Sequence, residues 1–113
     1  DILQLFQRYL GGTAYAFLGA RNIAEALALA TQSPPRIVVL DVMLPGVDGW
    51  EILGRLREHP SLSEVPVIIC SILPQEQLAL TLGAAAFLRK PVTQASLLSA
   101  LERQLGPPSP KGA

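Results

Sequence analysis

The carboxylate of Asp41 is the group in this chain best placed to do chemistry. The apolar run Ile37-Val38-Val39-Leu40 delivers it straight into the Pro/Gly turn Val42-Met43-Leu44-Pro45-Gly46-Val47-Asp48-Gly49. In an open parallel sheet, ligands bind in the crevice outside the carboxyl ends of the strands. A charge that ends an apolar strand there needs a partner or a job. The plainest job is to cap the turn by hydrogen bonding to the amides near Pro45 and Gly46. Ser71 ends a second apolar run, residues 65–70, and Lys90 follows Phe87-Leu88-Arg89 and precedes Pro91. Here too plain readings stand, Lys90 as a surface lysine and Phe87 as a half-buried strand aromatic. Other chemistries lack their residues: with one histidine, His59, and one cysteine, Cys70, zinc and redox sites have no ligand set. There is no Gly-rich phosphate loop. Cys70 reads as a small buried hydrophobe, and His59 as a helix-end residue favoured by the helix dipole.

For Asp41, Ser71 and Lys90 to meet, the elements that carry them must lie in one sheet. Residues 37–40 are continuously apolar, as expected for a strand covered by helices on both faces. Residues 65–70 repeat that pattern and residues 84–88 form a last small strand. Residues 13–18 are short, aromatic and β-rich, and read as a further strand before Gly19. The intervening segments have helical spacing. These are residues 2–10, stopped by Gly11-Gly12; residues 23–31, N-capped by Asn22 and followed by Ser33-Pro34-Pro35; and residues 50–59, ending before Pro60. A short helix over residues 75–82 closes at Gly83, and Thr93 N-caps a helix that runs to residue 105. Asp48 reads as the cap of the helix that starts near Gly49. Strands alternating with helices predict a doubly wound α/β fold.

The chain has 113 residues, 50% apolar and 16% charged, which suits one folded domain. Its net charge of zero gives no case for direct contact with nucleic acid or with an anionic membrane. In the apolar window over residues 65–88, Glu76 is the only charge, but Pro66, Pro74 and Gly83 argue against a membrane span. With one cysteine and no signal peptide read at the start, a cytoplasmic setting is expected. The Pro-rich residues 106–113 read as an extended linker or tail.

The turn after Asp41, the strand-ending Ser71 and Phe87-Leu88-Arg89-Lys90-Pro91 stand in this order at the ends of three successive strands. Together they resemble the receiver domains of two-component response regulators. The resemblance covers residues 1–105 and implies a flavodoxin-like parallel sheet in the order 2-1-3-4-5. It implies that Asp41 is the phosphoacceptor, attacking a phosphohistidine on a sensor histidine kinase or phosphotransfer protein. Lys90 would offer a point charge and Ser71 a hydrogen bond to phosphoryl oxygens. Ser71 and Phe87 would form the switch, the ring turning inward as Ser71 moves, and a cis Lys90–Pro91 bond would aim the lysine inward. Mg²⁺ would be held by Asp41, the backbone carbonyl of Met43, a phosphoryl oxygen, waters and further carboxylates. Such a domain is a switch rather than an enzyme, with an output domain or a homodimer as its further partner.

The sequence departs from the family at its start. The first strand and its acidic pair are absent from residues 1–113, so residues 13–18 and 37–40 should face a gap. The central strand and the remaining acidic ligands are expected from residues upstream of Asp1 or, less simply, from another segment or subunit. If the pair is truly lost, the alternative is a phosphorylation-independent pseudo-receiver, an interaction or dimerisation module. Ile72 is bulky where receivers have a small residue, and should narrow access to Asp41. Met43 and Ile72, both apolar, should slow loss of phosphate, and the helix over residues 75–82 should be clipped.

Overall fold

The structure, a computed structural model, describes residues 2–20, 22–42 and 49–106. Met43, Asp48 and the tail beyond Gly106 lie outside the described residues. The sequence Val67-Ile68-Ile69-Cys70-Ser71 has no polar side chain before its last residue, so as a strand it must be covered on both faces. It forms β2 (Val67–Ser71), buried along its whole length. It pairs in parallel with β1 (Val38–Val42) on one edge and β3 (Ala86–Arg89) on the other. Alternate residues point to opposite faces, and the core divides accordingly. Val67 and Ile69 meet Ala30 of α2 (Ile23–Gln32), Leu53 and Leu56 of α3 (Gly49–Glu58) and Ala79 of α4 (Glu76–Thr81). Ile68 and Cys70 meet Phe6 of α1 (Ile2–Leu10) and Leu97 and Leu101 of α5 (Gln94–Leu105). Each fully buried aliphatic side chain contributes about 1.5–3 kcal/mol, so these two layers clamp the sheet.

Local chemistry sets the helix ends. Asn22 Oδ1 accepts from the Glu25 amide at 2.9 Å. Thr93 and Ser96 exchange hydrogen bonds of 3.0 Å between side chain and amide, closing a capping box. Gly83 after α4 and Gly106 after α5 have φ of +104° and +79°, where a side chain would be strained. All five helices and three of the expected strands are formed, with ends displaced by a residue or two.

Residues 13–18 are the correction. Thr13, Tyr15 and Phe17 are partly buried while Ala14, Ala16 and Leu18 are exposed, which is the alternation of a strand, yet they form no ladder. The expected five-strand order without its first strand would keep four; among the described residues three are formed. The physical reason is distance: among the described residues no strand stands between residues 13–18 and the edge of β1. A slot of about 720 Å³ separates them, lined by Tyr15, Phe17, Val39 and Leu40, with Phe6 and Leu56 from the two helical layers. Backbone groups that cannot reach a neighbouring strand cannot make a sheet, whatever their side chains prefer.

Candidate functional site

Parallel register brings the three polar strand ends together. Asp41 stands opposite Cys70 and Val42 opposite Ser71, while Ser71 stands opposite Arg89. The Lys90 amide then donates to the Ser71 carbonyl at 2.9 Å, which carries the pairing one residue past β3. The Lys90–Pro91 bond is cis. From this position Lys90 reaches across the end of β2 and its Nζ forms an ion pair with Asp41 Oδ1. Both side chains are only 17% exposed, so water and salt screen the pair less than a surface one. The exposed helical pair Arg55–Glu51, at 3.1 Å, is of the weak kind.

Ser71 is 1% exposed, and its Oγ accepts from the Leu73 amide at 3.1 Å. The hydroxyl can still donate its own proton while it accepts there. Phe87 sits opposite Ile69 on β3 and is half-buried against the Leu53 layer. Ile72 is 54% exposed, and its carbonyl accepts from Arg89 Nε at 3.3 Å. Arg89 thus ties the ends of β2 and β3 together; its place beside Lys90 was the only signal of this in the sequence. His59 Nδ1 accepts from the Ser61 amide at 3.2 Å, a turn role that needs no ligand.

The chain matches the family model of the response regulator receiver domain over residues 1–102. It is a receiver domain. It is 31% identical over 100 residues to the response regulator PleD of Caulobacter vibrioides, covering 86% of this chain and 22% of PleD. It is 33% identical to PilH of Pseudomonas aeruginosa, covering 78% of this chain and 75% of PilH. Among solved structures, the receiver domain of NtrX from Brucella abortus superposes with a TM-score of 0.81 at 29% identity, covering 93% and 90% of the two chains. Vibrio cholerae CheY4 gives 0.80 at 26% identity, covering 92% and 89%. The chain thus spans about a fifth of PleD and three quarters of PilH. Its fold is the flavodoxin-like α/β fold of receivers, and its function is that of a two-component phosphoacceptor signalling domain. Receivers are in general signalling modules rather than enzymes. None of the described helices is long and apolar enough to cross a membrane.

Receivers typically bind Mg²⁺ at an acidic pocket. Here no three His, Cys, Asp or Glu side chains among the described residues come together to hold a metal ion. Asp41 is the carboxylate that the described strand ends bring to the site. Mg²⁺ keeps an octahedron of oxygens from waters, phosphates and one or two carboxylates. A donor set of that kind needs oxygens beyond the Asp41 carboxylate.

Cys70 acquires an unforeseen setting, because strand pairing sets it beside charges that the linear sequence keeps distant. Burial foremost, and then the Asp41 charge, push its thiol up to about 12, against the opposing effect of Lys90. In the unfolded chain the thiol ionises near its ordinary value of about 8.5. The stability that comes from holding it protonated is therefore complete below about 8.5 and is lost as pH rises from there toward 12. Thiol-specific reagents at pH 8 are expected to leave Cys70 untouched in the native receiver and to label it at the rate of unfolding; immediate stoichiometric labelling would contradict this.

Proposed function

We propose that Asp41 accepts a phosphoryl group from a phosphohistidine on a sensor histidine kinase or phosphotransfer protein, and that the acyl phosphate alters the surface around the strand ends. The observation that carries this reading is the Lys90 ammonium seated on Asp41 at the mouth of the sheet, with Ser71 in the strand between them. An Asp41 oxygen attacks phosphorus, the P–N bond breaks, and the histidine nitrogen takes up a proton. Phosphoryl transfer of this kind asks for positioning and charge neutralisation more than covalent help. Lys90 shifts its ammonium from the carboxylate to an arriving phosphoryl oxygen, and the Ser71 hydroxyl donates to another. Because Ser71 Oγ also holds the Leu73 amide, this engagement pulls on the 71–73 turn, and the Phe87 ring turns inward with it. Asp41, the Met43 carbonyl and ligands outside the described residues would hold Mg²⁺, which would supply charge neutralisation.

In this reading residues 1–105 are a cytoplasmic switch without enzymatic activity of their own. Residues 106–113 are a linker or tail, and the further partner is an output domain or a second receiver. Nucleic acid and membrane are not direct partners. The second reading is a phosphorylation-independent pseudo-receiver that serves as an interaction or dimerisation module.

Intact mass after incubation with Mg²⁺ and a small phosphodonor decides between the two. A single phosphoryl adduct is expected, absent in Asp41→Asn; no adduct on the folded protein selects the pseudo-receiver. For the phosphorylated form, Met43→Asn with Ile72→Ala is expected to speed phosphate loss several-fold by admitting and orienting water. An unchanged decay rate would remove Met43 and Ile72 as its cause.

A further inference from the structure

We infer that Tyr9 is a positioning residue for Lys90, acting through the loop that joins β3 to α5. The loop is four residues, Lys90-Pro91-Val92-Thr93, and each end is fixed. The Lys90 amide is bound to the Ser71 carbonyl at 2.9 Å, and Thr93 is locked into the capping box of α5. Between them, the Val92 side chain is 3% exposed, and its carbonyl precedes the helix, so no turn of α5 serves it. Tyr9, on the last turn of α1, donates its hydroxyl to that carbonyl at 3.0 Å.

The tie is reciprocal. The Tyr9 carbonyl is among the last four of α1, which have no partner within a helix. It accepts from Gln94 Nε2 at 2.9 Å, on the first residue of α5. The Tyr9 ring is itself steadied by stacking with Phe6, centroids 6.5 Å apart, and Phe6 is buried in the core. Two hydrogen bonds thus clasp the end of α1 to the start of α5, from residues 83 and 85 positions away in the chain. Pro91 has a fixed φ, so an anchored Val92 leaves few torsions by which the Lys90 backbone can wander. The ammonium must meet Asp41 and then a phosphoryl oxygen, and small displacements of a positioned group cost rate steeply. This inference rests on the proposed role of Lys90 in phosphoryl binding.

The test compares Tyr9→Phe, which keeps the ring stack and removes the hydroxyl, with Gln94→Ala at an exposed position. Ile52→Val on α3 serves as a control that lowers stability away from the clasp. The first readout is the ¹⁵N signal of the Lys90 ammonium in the unphosphorylated receiver, assigned by its loss in Lys90→Gln. The second is the rate of adduct formation with the small phosphodonor. Tyr9→Phe and Gln94→Ala should each broaden or shift the ammonium signal and slow phosphorylation about three- to tenfold, the effect of one ordinary hydrogen bond. Ile52→Val should do neither. An unchanged ammonium signal in both clasp variants would overturn the inference. If the unmodified chain takes no phosphate, the proposed function fails, and the ammonium signal still decides the clasp.

Discussion

The structure depends on β2 being paired on both edges and buried on both faces. A strand in that position has no freedom to slip, because a shift of one residue would exchange the side chains facing the two helical layers. Its fixed register aligns Asp41 with Cys70 and Ser71 with Arg89. The candidate site residues meet because the apolar residues behind them have one acceptable packing. The two core layers therefore set the geometry of strand ends that they do not touch.

The Asp41–Lys90 pair shows how a half-shielded site tolerates charge. A lone carboxylate at the end of an apolar strand, above a buried thiol, would be costly. A fully buried pair would be costly too, since desolvation offsets attraction. Placed at the rim, each charge keeps some water and gains a partner. The same rim position leaves room for a third charged group to take over one of the partners, as the proposed phosphoryl transfer requires. Arg89, Ser71 and Leu73 supply the backbone ties that keep this rim from fraying.

Much of this was legible in the sequence, and the reason is local. Strands 37–40 and 65–70 announced themselves because nothing polar interrupts them, and Asn22 and Thr93 announced helix starts because capping is a short-range bond. Asp41 and Ser71 could be singled out because each ends an apolar run, and Lys90 because it stands between Phe87-Leu88-Arg89 and Pro91. What was not legible depends on pairs distant in the chain. Cys70 gained charged neighbours only through strand pairing, and the Tyr9 clasp joins residues at opposite ends of the sequence. Residues 13–18 have the composition and the alternation of a strand, but whether a strand forms is decided by its neighbour, and composition says nothing of that.

The slot beside β1 has a mechanical consequence. Among the described residues, no main-chain rung links the first third of the chain to the sheet. That third is attached by the packing of Phe6 and Ala30 and by the side-chain bonds of Tyr9 and Gln94. Among the described residues, α1 and α2 therefore hold to the sheet through side chains alone. Protection from hydrogen exchange should be deepest in β2, which is buried along its whole length and paired on both edges.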